Sequence, residues 1–579
     1  MAAAAATLNL LLYLFWISLL FLFSGSLQLC VKEERKALLS VRSGFPVVDR
    51  GLSPWEGDDC CSWERVGCNI TGHVIELDFS LIIYTSDDVF IRNEVHPSLF
   101  QLKQLQYLNI SGNGFGGRPI PGSIGSLTQL QRLDLSECDF GGEIPLQLGN
   151  LSHLRHLSLS DNRISGKIPA SFVHLRNLQF LYLNTNNISG VIPEDIGNLR
   201  NIQGLFLHYN SLEGVIPKSI GNLSKLSSLV LFGNEIVGGL PETIGNLTAL
   251  QNLKLLSNQI SGKIPDSIGN LIQLEFLDIR CNNISGSIPG TLGSLCNLSG
   301  ILLSDNSITG RVAEFFEKLS RCRTNKLLSV DLGGNQLSGP SPSHFERFRR
   351  LNNLDLSFNQ LSGSVPASLG KLSALESLYL YSNHLVGDIT EAHFANLTSL
   401  QYIDISDNNL SVKVSQDWLP PFHARYIFMR SCNLGPRFPT WLQNQTSLQT
   451  LDISNNGISD AFPDWFWSMC LSEVQLNVSH NHMRGMLPRS LECFIPRMQL
   501  WNAYLDFSHN AFSGPIPKSM FGEFSISYLI LSNNKLNGSI PTSICTIRDL
   551  QMVNLANNDL SGTLPDCWAF SHTAITAHE

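Results

Sequence analysis

The residues here whose types and spacing could do chemistry are cysteines, histidines and one glycine-rich turn. Gly112-Asn-Gly114-Phe-Gly116-Gly117 has the glycine density of a phosphate-binding loop, whose backbone amides cradle an anion. No Lys follows it, so a repeat turn is the plainer reading. His480, His482 and His509 fall near one another in the chain's repeat frame and could offer imidazole nitrogens to a metal; exposed turn residues are the expected role. Cys30, Cys60, Cys61 and Cys68 are ligand types for zinc, but the adjacency of Cys60 and Cys61 suits a tetrahedral site poorly. Asp58 and Asp59 belong to the same segment. No kinase lysine, catalytic-loop or Asp-Phe-Gly signature occurs. The expectation is a protein that recognises rather than reacts, with no catalytic residues, cofactor or metal.

A leader bears on the redox state of these cysteines. No charged residue precedes Lys32, and residues 8–23 read LNLLLYLFWISLLFLF before Ser24, Gly25 and Ser26. That is the apolar core and cleavage region of a secretory signal, expected over residues 1–26 with removal after Ser26. Left uncleaved, the uncharged run from Ala2 to Leu29 is long enough to span a bilayer. Secretion places the cysteines in an oxidising compartment, where disulfides outrank zinc. Asn-x-Ser/Thr sequons fit that route: Asn69, Asn109, Asn150, Asn187, Asn222, Asn246, Asn283, Asn297, Asn396, Asn409, Asn444, Asn477 and Asn537, with partial occupancy expected. Composition agrees: of 579 residues 43% are hydrophobic and 15% charged, which excludes a disordered chain. A net charge of −9 argues against nucleic-acid binding.

The positioning elements come from a repeat. The frame Leu157-Ser-Leu159-Ser-Asp-Asn162-Arg-Ile164-Ser165-Gly166-Lys-Ile168-Pro169 returns 19 times, counted at its Asn slot from Asn113 to Asn558, with Cys138 and Cys432 in that slot twice. Thirteen spacings are 24 residues, three are 25 and two are 29. Leu-x-Leu has period 2, so both leucines point into a core and the intervening side chains point out. One short parallel strand per repeat is expected, with the Asn satisfying backbone groups at the strand's exit and stacking as a ladder. Cys281 lies beside the slot. Three cysteine pairs follow from the frame: Cys296 with Cys322, Cys470 with Cys493, and Cys545 with Cys567.

The Ser-Gly-x-Ile-Pro endings at Ser165–Pro169, Ser189–Pro193, Ser261–Pro265 and Ser285–Pro289 resemble plant-type leucine-rich repeats. The resemblance covers residues 74–566, about 20 repeats, with departures at Val312-Ala313 and Ile389-Thr390. It implies an α/β solenoid: a superhelix whose parallel sheet lines the concave face. Residues 30–73 (Cys30, Glu34-Arg35, Ala37-Leu38-Leu39, Trp55, Cys60-Cys61-Ser62-Trp63, Cys68, Gly72-His73-Val74) resemble the N-terminal cap of plant leucine-rich-repeat receptors, with Arg65 where the family usually has Gly. By that resemblance Cys30 pairs with Cys60 and Cys61 with Cys68. Residues 567–579 form a polar tail.

Departures from the default Leu-Asp-Leu-Ser strand mark candidate contacts. Phe180, Tyr182, Phe206, His208, Tyr209, Phe232, Lys254 and Arg280 are expected to form one aromatic patch with a charged edge. Tyr379, Tyr381, Tyr402, Tyr426, Phe428 and Arg430 are expected to form a second. Sequons Asn109 and Asn477 face the same surface. The resemblance extends to receptor-like proteins, including Cf-type resistance proteins and fungal-xylanase receptors, which lack a kinase and signal with partner receptor kinases. It implies an extracellular or plasma-membrane module binding a peptide or protein ligand in immune or developmental signalling. No second apolar run of membrane length follows the leader, so the chain reads as a fragment of a longer receptor or as a secreted form. The alternative is a secreted inhibitor of microbial wall-degrading hydrolases, resembling polygalacturonase-inhibiting proteins.

Overall fold

The structure, a computed structural model, describes residues 30–45, 55–80, 94–469, 475–491, 503–521, 526–547 and 550–569. It divides into two compact units, one ending at Gln259 and one starting at Ile260. The expected Cys470–Cys493 pair and the leader lie outside the described residues.

The first unit opens with a cap. Helix Lys32–Arg42 buries Glu34, Ala37, Leu38 and Val41, the i, i+3, i+4, i+7 stripe of an amphipathic helix. Glu34 is 8% exposed because its carboxylate accepts the Val74 amide at 2.7 Å and contacts His73 Nδ1 at 2.9 Å. Disulfides join Cys30 to Cys60 and Cys61 to Cys68, leaving no cap thiolate for a metal. Asp59 accepts from the amides of both Cys30 and Cys61. Trp55 and Trp63 stack at 4.8 Å beneath them. Strand Val66–Cys68 pairs antiparallel with Val74–Asp78, which covers the first edge of the repeat sheet.

Beyond it, strands Tyr107–Asn109, Arg132–Asp134, His156–Ser158, Phe180–Tyr182, Gly204–Phe206, Ser228–Val230 and Asn252–Lys254 stack in parallel. Register is set by the buried leucine: Leu157, Leu181, Leu205, Leu229 and Leu253 pair in turn, each 0% exposed. The second unit repeats this from Phe276–Asp278 to Met552–Asn554. Its helix Val312–Ser320 buries Val312, Phe315, Phe316 and Leu319 where other repeats make a short turn. The Cys296–Cys322 disulfide fastens it, so this longer helical turn accounts for the first 29-residue spacing.

Three features differ from the sequence expectation. Most repeats carry a second short strand after the Asn turn, such as Arg163–Gly166 paired with Asn187–Val191, or Gln336–Pro340 with Gln360–Gly363. The helical layer is chiefly 3-10 turns that start after the repeat proline, such as Glu194–Asn198 and Lys218–Asn222. Proline fixes the extended-to-turn entry without needing an amide donor. The Asn ladder is also built differently. Asn359 donates to the carbonyls of Leu332, Leu356 and Ser357 and accepts the Leu337 amide, so neighbouring slots are linked through backbone. Cys138 and Cys432 reproduce part of this with Sγ contacts to Ile110 and Ile405 carbonyls.

Candidate functional site

Along each strand of the long sheets, the residues flanking the buried leucine face away from the core, and so does the residue beyond the second leucine. In the first unit this face carries aromatic rings on successive strands. Tyr182 and Phe206 stack at 4.5 Å with 2° between planes, and Phe180 lies 6.4 Å from Tyr182. His156 joins at 5.2 Å from Tyr182, a contribution the sequence reading missed. Gly204 makes the stack fit: a Cβ there would lie 2.6 Å from Phe206 and 2.9 Å from Phe180. Beside this group, His208 stacks on Phe232 at 4.4 Å and Tyr209 meets Phe232 edge-on at 4.9 Å. Tyr209 is 59% exposed and sits at φ 52°, a left-handed conformation that costs a bulky residue about 1–2 kcal/mol. Burial lowers the pKa of His156 and of His208 and favours neutral imidazoles, and His208 Nδ1 is buried without a hydrogen-bond partner. Lys254 is half-buried on the last strand of this unit.

Arg280, expected as the charged edge of that patch, belongs to the second unit and is not an open cation. Its guanidinium binds Asp278 through two bonds of 3.0 and 2.9 Å and reaches Asp331 at 3.6 Å. Asp278 is 3% exposed. The bidentate geometry raises the Arg280 pKa further.

The second unit also brings the second set together. Tyr379 and Tyr402 lie 4.5 Å apart, Tyr402 lies 5.3 Å from Tyr426 and 5.5 Å from Phe428. Tyr381 meets Phe358 edge-on at 4.9 Å, and Phe358, unnoticed in the sequence, is 56% exposed. Arg430 is committed to Asp407 by two hydrogen bonds. Carboxylates line the same face. Burial pushes Asp331 and Asp355 above the ordinary range and Asp404 up to about 6.

Among the sequons, Asn150, Asn187, Asn222, Asn246, Asn283, Asn396, Asn409 and Asn537 are exposed and lie off the strand face, on turns or second strands. Asn109 and Asn477 lie on strands, each accepting from an amide two residues on. Asn69 accepts from Thr71 and His73, Asn297 donates to Ile272, and Asn444 is half-buried. No sequon falls between Asn297 and Asn396. His480 and His509 stack at 4.1 Å, and His509 Nε2 meets Asn533. Among the described residues the potential metal-binding cluster is Cys30, Cys60 and Cys61, all in disulfides. Cys545 is joined to Cys567, while Cys138, Cys281 and Cys432 are free. No helix among the described residues is long and apolar enough to cross a membrane. The arrangement offers aromatic area, paired charge and hydrogen-bonding groups to a partner surface.

Comparisons with known proteins agree with this geometry. The Leucine-rich repeat region model matches residues 133–235 and 182–402, and the Leucine rich repeat N-terminal domain matches 31–69. The Leucine Rich Repeat model matches 104–127, 447–469 and 525–547. Receptor-like protein EIX1 of Solanum lycopersicum is 44% identical over 133 residues, 22% of this chain and 12% of that protein. Receptor-like protein 7 of Arabidopsis thaliana is 37% identical over 125 residues, 21% and 12% respectively. The chain thus spans about one-eighth of the length of these relatives in the match. Among solved structures, PEPR1–AtPEP1 superposes with a TM-score of 0.75 at 27% identity over 93% of this chain and 80% of that one. The Arabidopsis receptor kinase HAESA, solved with the peptide hormone IDA and the co-receptor SERK1, gives 0.67 at 27% identity over 93% and 96%. Cap, repeat frame and these likenesses together show a leucine-rich-repeat chain with the matching N-terminal domain, similar to plant receptor-like proteins and to plant receptor ectodomains.

Proposed function

We propose that this chain is the extracellular recognition module of a receptor-like protein, binding a peptide or protein ligand on the outward face of its strands. The observation that carries the reading is the aromatic stack Tyr182–Phe206, with Gly204 beneath it, on a face whose default residues are Asp and Ser. Half-buried rings held flat by neighbours supply contact area with little side-chain entropy to lose on binding, the property of interface hot spots. The reading includes no catalysis, entry to the secretory pathway, and signalling through a partner receptor kinase. The solved HAESA complex, which holds a peptide hormone and a co-receptor, supports that pairing by analogy. Residues 30–73 then serve as cap, 74–566 as repeats, and the sequons as glycan sites that leave most of the strand face open.

The test places a photo-crosslinking amino acid at Phe206 or Phe428, and as a control at Val191 on a second strand. The secreted chain is exposed to plant extracellular fluid and captured species are identified by mass spectrometry. Capture at the strand face, lost when Tyr182→Ala and Phe206→Ala are combined, supports the proposal. Capture at Val191 alone refutes it.

A further inference from the structure

The second unit holds a pattern that neither patch accounts for. Asp355, Tyr379, Asp404, Phe428 and Asp452 are direct register partners on five successive strands. Carboxylate and aromatic ring therefore alternate, one per strand, along the outward face. Strands lie about 4.8 Å apart, so Asp355 and Asp404 recur at about 9.6 Å with the Tyr379 ring between them.

These two carboxylates are underused by the protein itself. Asp404 is 9% exposed, yet Ser406 is the sole residue hydrogen-bonding its carboxylate among the described residues. Asp355 takes both its bonds, from the Ser357 amide and hydroxyl, on one oxygen, Oδ1. Neither forms an ion pair among the described residues. The nearby guanidiniums are engaged elsewhere, Arg280 with Asp278 and Asp331, and Arg430 with Asp407. Asp452, by contrast, is served by Ser454 and by Asn477. A buried acid short of donors is costly unless a cation completes it. Burial raises the pKa of Asp404, which expresses the same cost of keeping this acid ionised. The ring faces alongside, Tyr379 and Tyr402 at 4.5 Å, add the surface that a cation prefers to an aliphatic wall. No sequon lies between Asn297 and Asn396, and Asn396 and Asn409 both lie off the strand face.

We propose that this face docks an extended polypeptide segment carrying two basic side chains three residues apart, one on Asp355 and one on Asp404, astride Tyr379. In the polyproline II form an extended chain rises about 3.1 Å per residue with three residues per turn, so side chains three residues apart share one face about 9.3 Å apart, which matches two strands of the sheet. The inference rests on the recognition reading above and specifies its ligand's chemistry.

The test titrates the full secreted chain with two fluorescein-labelled octapeptides of equal composition. One is Gly-Ser-Arg-Ala-Ala-Arg-Ser-Gly; the other, Gly-Ser-Ala-Arg-Arg-Ala-Ser-Gly, has the arginines adjacent. The spaced peptide is expected to bind about tenfold more tightly, and Asp404→Asn to remove that preference. Asp388→Asn, which removes the same charge from a second strand, is expected to leave it intact. Equal binding of the two peptides, or no binding of either, overturns the proposal, and this comparison needs no variant to fold. Equal loss in both variants also overturns it, in favour of general attraction to an acidic chain. A ligand captured at the strand face without basic residues so spaced overturns this inference and leaves the recognition reading standing.

Discussion

Asp404→Asn should make the protein more stable at neutral pH while weakening its capture of a basic ligand. The carboxyl is nine-tenths buried, and burial raises its pKa from 3.8 to about 6. A folded-state pKa above the unfolded one means that the folded chain holds the proton more tightly. Stability from this group is therefore full below about pH 4 and declines as pH rises through about 6. At about 1.4 kcal/mol per pH unit the rise is worth about 3 kcal/mol as an upper bound, and relaxation around the ion reduces the realised cost to about 1–2 kcal/mol. Asparagine keeps an oxygen for the Ser406 amide and removes the charge. Solenoids unfold in parts, so the local assay is hydrogen exchange at Tyr402–Asp404, corrected for intrinsic pH dependence, at pH 4.5 and 7.5. Wild type is expected to lose protection between the two and the variant to lose less. A variant less protected than wild type at pH 7.5 would refute the reasoning, because the carboxylate would then be a structural anchor.

Other perturbations probe the frame and the first unit's face. Gly204→Ala places a Cβ against Phe206 and Phe180 and should cost about 1–2 kcal/mol by overpacking, read as a shifted near-UV spectrum with the repeat ladder intact. Asn359→Ala removes four buried hydrogen bonds and should lower stability by about 3–4 kcal/mol in urea titration. Asn359→Cys should cost less, since Cys138 and Cys432 already serve that slot. Replacing both Cys296 and Cys322 by Ser should cost about 2–4 kcal/mol, and protease cleavage should then concentrate near helix Val312–Ser320.

The repeat was legible because its period is long, regular and tied to buried leucine. The cap was legible by resemblance. The second strands were not: Ser165 and Gly166 lack the β-branched or aromatic character that marks a strand, and their pairing comes from stacking identical turns. Aromatic departures such as Tyr182 and Phe206 stood out against an Asp/Ser background. That contrast also hid Asp404 within the background, although its neighbours in register make it distinctive. The pairing of Arg280 with Asp278 and Asp331 was not legible, because these partners sit two residues back and two strands away, distances that only the register reveals.

The most direct test of the central claim is a hydrogen-exchange footprint of the chain with its captured ligand bound. Recognition on the outward strand face predicts protection concentrated at strands such as Phe180–Tyr182, Gly204–Phe206 and Tyr426–Phe428. Protection confined to second strands such as Asn187–Val191, or to 3-10 turns such as Lys218–Asn222, would contradict it.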